Sequence, residues 1–170
     1  MAGMNAPHIF GISGWSGAGK TTLIEQLIPL FRARGLSVSL IKHTHHGFDI
    51  DKPGKDSYRF REAGATEVML AGAARWALMH ELREAPQADL ASLLSKLSPC
   101  DLVLVEGFKS AELPKIEVHR PSLGKPFFHA EFPNVVAIAS DQVLSTDLPV
   151  LDLNDAPAIA AWILAYLKLA

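Results

Sequence analysis

Short apolar runs rich in β-branched residues recur along the chain: HIFGIS from His8, SVSLIKH from Ser37, EVMLAG from Glu67, DLVLVEGF from Asp101, VVAIAS from Val135 and LPVLDL from Leu148. Stretches with helical spacing lie between several of them. From about Lys20 to Arg34, the residues Leu23, Leu27, Leu30 and Phe31 fall on one stripe, Gly35 supplies the stop and Pro29 predicts a kink. A second helix starts with Asp56 or Ser57 as N-cap and passes through Tyr58 and Phe60, and DLASLLSKL from Asp89 makes a third. The last begins near NDAP, where Asn154 or Asp155 caps and Pro157 suits the first turn.

This alternation predicts an α/β fold, a mainly parallel sheet flanked by helices. RWALMHEL from Arg75 and PKIEVHR from Pro114 read as further strands, in a hairpin or at an antiparallel edge. No repeat, low-complexity segment or interdomain linker interrupts the pattern, so the 170 residues are expected to form a single domain, 1–170.

Composition narrows the partners. The formal charge of -2 gives no general attraction to nucleic acid or to an anionic membrane, so neither is an expected partner and any basic site must be local. Cys100 is the only cysteine, which excludes an internal disulfide and a cysteine-built zinc site. The opening MAGMNAPHIFG lacks the basic and apolar segments of a secretory signal, and the expectation is a cytoplasmic protein. The longest apolar run, Ala156 to Leu167, is well short of the ~20 residues that span a bilayer.

The chemistry starts at GWSGAGKTT. Gly14, Gly19, Lys20 and Thr21 match G-x-x-x-x-G-K-[ST] directly after a predicted strand and before a predicted helix, which predicts a three-layer P-loop NTPase fold. In such a loop, Gly14, Trp15, Ser16, Gly17, Ala18 and Gly19 turn their backbone N–H groups inward around a phosphate chain, at a helix N-terminus that favours negative charge. Lys20 then reaches the β- and γ-phosphates, Thr21 offers its hydroxyl to Mg²⁺ and Thr22 bonds the α-phosphate.

A carboxylate is needed near that metal, and DLVLVEGF offers Asp101 and Glu106. Ligands of open α/β sheets sit beyond the carboxyl ends of the strands, and five residues at ~3.3 Å each put Asp101 about 16 Å away. Glu106 is therefore the Walker B candidate. After the second strand, IKHTHHGFDIDKPGKDS gathers Lys42, His43, His45, His46, Asp49, Asp51, Lys55 and Asp56. Asp49 or Asp56 is placed to orient an attacking water or to hold Mg²⁺ indirectly, while Asp56 serves equally as a helix cap. The three histidines invite a transition-metal reading as well as an anion-binding one. For the base, Asp141 at the end of VVAIASD is the candidate carboxylate for guanine; a turn-capping role fits it as well, and the NKxD signature is absent.

Taken together, GWSGAGKTTL, IKHTHHGFDIDKPGKDSYRFREAGA, DLVLVEGFKSAELPKIEVHR and VVAIASD resemble the MobB family of molybdopterin-guanine dinucleotide biosynthesis adapter proteins. The resemblance implies a GTP-binding P-loop fold, a homodimer and weak Mg²⁺-dependent GTPase activity. It further implies an adapter that assists MobA, the guanylyltransferase that joins GMP from GTP to molybdopterin, with molybdopterin itself a candidate ligand. Carried over, Gly14 to Thr22 become the phosphate site and Glu106 the Walker B acid. Relatives in the wider group carry a lysine directly after the first loop glycine. This chain has Trp15 there, so a lysine reaching across a dimer is not expected. Lys109, Lys115 and Arg120 follow Glu106 and are candidates to attract a phosphate or an acidic partner. A P-loop small-molecule kinase and a metallochaperone-type NTPase are the alternative functions.

Overall fold

The computed structural model describes residues 6–44 and 47–169. In chain order the elements are β1 (His8–Ser13), α1 (Lys20–Ala33), β2 (Val38–Lys42), α2 (Asp56–Glu62), β3 (Glu67–Ala71), β4 (Trp76–His80), α3 (Leu90–Leu94), β5 (Leu102–Glu106), β6 (Lys115–His119), β7 (Val135–Ser140), β8 (Val150–Asp152) and α4 (Ala156–Leu167). They divide into two compact units, one formed by Met1–His43 with Leu90–Ala170, the other by Thr44–Asp89.

The larger unit is built on a six-stranded sheet in the order β2-β5-β1-β6-β7-β8, parallel throughout. Alternation along the strands divides their side chains between two faces. Phe10, Ile12, Leu102, Leu104, Ile116 and Val118 pack on one side against Leu23, Leu27 and Phe31 of α1 and Ile159, Ile163 and Leu164 of α4. On the other side Ile41, Val103 and Val105 meet Leu90, Leu93 and Leu94 of α3. The result is the expected three-layer α/β fold, in which each fully buried leucine or phenylalanine contributes about 1.5–3 kcal/mol.

The helix ends follow the sequence signals closely. Helix α1 runs on past Pro29 to Ala33 and closes with two reciprocal bonds, Gly35 N–H to the Arg32 carbonyl and Leu36 N–H to the Phe31 carbonyl. Gly35 has φ 83°, the left-handed conformation this closing motif demands. Helix α4 is capped by Asp155, whose carboxylate accepts from the Ala158 N–H at 3.0 Å. It ends in the same motif with Lys168, φ 57°, where a glycine would sit without strain. Helix α2 differs from expectation by one position. Lys55 is the N-cap and makes no side-chain cap bond, while Asp56 is the first helical residue and favours the N-terminus through its charge.

PKIEVHR is the larger departure. Its strand, β6, lies inside the parallel sheet between β1 and β7, neither in a hairpin nor at an edge. All five of its residues are buried, although Lys115, Glu117 and His119 make every second one ionisable. These groups are satisfied internally. The Lys115 ammonium donates to the carbonyls of Lys109 and Ala111 at 2.9 and 2.8 Å. Burial pushes its pKa down. The Glu117 carboxylate accepts from the N–H groups of Phe128 and His129 at 2.7 and 3.0 Å, and lies 2.6 Å from His129 Nδ1. The His119 ring lies against Phe127.

In the smaller unit β3 and β4 form a two-stranded antiparallel sheet, so RWALMHEL is a hairpin strand and EVMLAG pairs with it instead of entering the main sheet. Val68 and Met79 are its buried apolar residues, whereas Met69, Trp76 and Leu78 stay exposed. Ion pairs cross-link this unit. Arg61 of α2 forks onto Asp51 at 3.1 and 2.7 Å, reaches Glu81 and Asp49 at 2.9 Å each, and lies over the Tyr58 ring. The hydrogen bonds from Arg61 hold the Asp51 carboxyl below its usual value.

Gly35→Ala should lower stability by about 1 kcal/mol, because nothing crowds the site and the cost is purely the left-handed backbone, whereas Lys168→Gly should raise it by up to about 1 kcal/mol. Urea unfolding of the two variants measures both. The Asp51 pKa is lower folded than unfolded, so its contribution is present at neutral pH, declines as pH falls through the ordinary value of 3.8 and is lost below the folded value. Thermal melting from pH 6 to 2 should show this decline, and Asp51→Asn should flatten it.

Candidate nucleotide site

The loop from Gly14 to Gly19 leaves the carboxyl end of β1 and enters α1 with Gly19 as N-cap. Strands on both sides of β1 end at the same sheet edge, the position where open parallel sheets receive their ligands. Gly14 has φ 139°, and a Cβ there would stand 2.4 Å from the Val118 carbonyl oxygen, so only glycine allows the loop to lie on β6. Lys20 Nζ donates to the Trp15 carbonyl at 2.9 Å, across the mouth of the loop. Burial lowers its pKa; Glu106 opposes that shift, and the charges of Lys109 and Lys42 add to it. The charges of Lys42 and Lys109 thus both bear on Lys20, which favours an anion beside it.

Glu106 ends β5 beside Thr21: Oε1 accepts from the Thr21 hydroxyl at 3.1 Å. Its Oε2 lies 3.3 Å from Lys42 Nζ at the end of β2, and the same ammonium is 3.4 Å from Thr21 Oγ1. Most surface pairs contribute little, but the Glu106 side chain is only 8% exposed. Its partner Lys42 is half exposed, so water can take over part of that pairing. Asp101, at the opposite end of β5, is instead bound by the N–H and hydroxyl of Ser37 at 2.7 and 2.6 Å, which lower its pKa, hydroxyl first.

A hydroxyl and a carboxylate are hard oxygen donors of the kind Mg²⁺ takes, and the Lys42 ammonium beside both marks the spot as one that accepts a cation. Thr21 and Glu106 therefore fit the metal, which would supply neutralisation of phosphate charge.

Two features near the loop lay outside the motif. Trp15 Nε1 donates to the Pro126 carbonyl at 2.8 Å, and its ring meets Phe128 edge-on. The Lys109 ammonium sits 5.1 Å from the centre of the Trp15 ring, and 5.9 and 5.7 Å from those of Phe128 and Phe132. Glu117 holds the backbone of Phe128, so its buried carboxylate supports the aromatic wall of the loop. Arg120 is the second feature: Nε donates to the Ala18 carbonyl at 3.0 Å, and Nη1 lies 2.6 Å from Asp141 Oδ2.

Asp141 stands at the carboxyl end of β7 beside a cavity of about 380 Å³ lined also by Gln142, Val150, Asp152 and Asn154. Its Oδ1 is buried and has no hydrogen-bond partner among the described residues. Ser16, Gly17 and Thr22 are exposed, and Ala18 is buried. Asp49 is occupied by Arg61 within the smaller unit. Of the histidines, His43 packs on Phe108, while His45 and His46 lie outside the described residues. Among the described residues no group of three or more His, Cys, Asp or Glu could hold a metal ion, and no helix is long and apolar enough to cross a membrane.

Comparison with known proteins agrees with this geometry. Residues 9–141 match the family MobB, "Molybdopterin guanine dinucleotide synthesis protein B". The molybdopterin-guanine dinucleotide biosynthesis adapter protein of Escherichia coli (strain K12) is 44% identical, over 99% of this chain and 98% of its own length. That of Haemophilus influenzae is 45% identical over 94% and 89%. Among solved structures, molybdopterin-guanine biosynthesis protein B superposes with a TM-score of 0.74 at 28% identity, covering 93% of this chain and 99% of that one. Bacillus subtilis MobB superposes at 0.73 and 26% identity, covering 93% and 96%. Sequence and fold together place the chain in the MobB family.

Proposed function

We propose that this protein is a GTP-binding adapter in the synthesis of molybdopterin guanine dinucleotide. It assists a MobA-type guanylyltransferase, and its own chemistry is at most weak, Mg²⁺-dependent GTP hydrolysis. The observation that carries this reading is the glycine loop with Lys20 on the Trp15 carbonyl, Lys42 beside Thr21 and Lys109 near the Trp15 ring, in a chain whose relatives are adapter proteins of that synthesis. Backbone N–H groups from Gly14 to Gly19 surround the phosphates, Lys20 leaves the Trp15 carbonyl for the β- and γ-oxygens, and Thr22 serves the α-phosphate. Thr21 and Glu106 hold Mg²⁺.

Asp141 reads the base. Its unpartnered Oδ1 is an acceptor in want of a donor, and guanine has two N–H donors on one edge where adenine has none so arranged. The protein works in the cytoplasm as a homodimer, for which Met69, Trp76 and Leu78 offer exposed apolar surface. Molybdopterin is a candidate second ligand. Asp49 remains a candidate for orienting water only if Arg61 releases it.

Calorimetric titration of the full chain with GTP and ATP in the presence of Mg²⁺ tests the reading. GTP should bind more tightly, and equal or tighter ATP binding would refute it. Lys20→Ala should weaken triphosphate binding by about 10- to 100-fold, since a charged hydrogen bond contributes about 1.5–3 kcal/mol, with an unchanged melting curve. Asp141→Ala should lose GTP affinity by a similar factor and ATP affinity by less, since it also frees Arg120, which holds the Ala18 carbonyl. In a reconstituted assay, adding the protein to the guanylyltransferase should raise guanine dinucleotide formation; light scattering reports the dimer.

A further inference from the structure

Glu106, Thr21 and Lys42 close a triangle. The Thr21 hydroxyl is 3.1 Å from one Glu106 oxygen, the Lys42 ammonium 3.3 Å from the other, and hydroxyl and ammonium are 3.4 Å apart. The two oxygen donors available to a divalent ion are thus already shared by a cation of the protein's own. Lys20 does not compete for that place, because its ammonium is held by the Trp15 carbonyl.

We propose that Lys42 is the resident cation of this metal position and must be displaced before Thr21 and Glu106 can take a divalent ion. The idea rests on the nucleotide site proposed above but concerns the nucleotide-free protein. Mg²⁺ bonds oxygen at about 2.0–2.1 Å, so an ammonium set against both donors, which also bond each other, opposes it by volume as well as by charge.

The swap is mechanically easy. The Lys42 side chain is 52% exposed on a flexible stem, whereas its backbone is fixed beside Glu106 by the pairing of β2 with β5. A freed ammonium facing water loses its partner, but one facing a triphosphate gains a stronger one. Bare metal should therefore bind poorly, and metal and nucleotide should strengthen each other's binding by a common factor.

The test measures binding without catalysis. Mn²⁺ is titrated into the nucleotide-free full chain and followed by electron paramagnetic resonance, with Mg²⁺ calorimetry alongside. Lys42→Met should bind Mn²⁺ at least tenfold more tightly than the unaltered protein, and adding Glu106→Gln to it should abolish the gain. Lys42→Arg, which keeps a charge at the site, should stay within about threefold of the unaltered protein. The factor by which Mg²⁺ tightens GTP binding should shrink in Lys42→Met. Unchanged Mn²⁺ affinity in a Lys42→Met protein with a native melting curve overturns the proposal, as does a gain that survives Glu106→Gln. If Lys42→Met does not melt cooperatively, Lys42→Gln is titrated in its place, with the same tenfold gain expected and unchanged affinity again overturning the proposal. Failure of the unaltered chain to bind GTP would instead remove the nucleotide reading and leave the Mn²⁺ outcome to decide the role of Lys42.

Discussion

The contact on which the larger unit turns is the approach of Gly14 to the Val118 carbonyl, closer than any side chain would permit. It seats the loop after β1 directly on β6, fixing where α1 begins and where its N-terminal amides point. Once the loop lies there, Arg120 at the end of β6 can bond Ala18 within it, and Glu117 on β6 can hold the wall against which Trp15 rests. Strand β6 is thus the bed of the loop as well as a member of the sheet.

That arrangement explains why a central strand carries three ionisable residues. An apolar β6 would pack more cheaply, because buried charge is costly unless every partner is present. Here Lys115 and Glu117 have partners in segments that border the loop, Lys109 and Ala111 for the one and Phe128 and His129 for the other, while His119 lies 3.4 Å from Glu117 itself. Fold stability and site geometry draw on the same bonds. Arg120 extends the pattern by tying the loop to Asp141, so the proposed phosphate and base ends are joined through one guanidinium.

Much of this was legible in the sequence. The glycine spacing located the loop, strand arithmetic chose Glu106 over Asp101, and the caps at Gly35 and Asp155 stood where their residue types indicated. What escaped was long-range. Alternating polar residues in PKIEVHR have the same period whether water or other protein segments cover them, so periodicity alone pointed to an edge. Lys42 was visible as a charge, but its meeting with Glu106 depends on β2 lying beside β5, a pairing no local pattern encodes. The smaller unit announces itself with no linker. Its centre is Arg61 with three carboxylates, and a sequence shows charges there, not a core.

The placement of that unit bears on how the chain comes together. Ser37 and Asp101 meet although 64 positions separate them, and Thr44–Asp89 fills most of the interval. A free coil of that length must be closed before β2 can pair with β5. If the inserted unit forms first from its own near-neighbour contacts, the slack is cut roughly fourfold and the closure penalty drops by about 1.2 kcal/mol. The hairpin and its helix would then act as an early knot in the string, speeding assembly of a parallel ladder that would otherwise be slow to find.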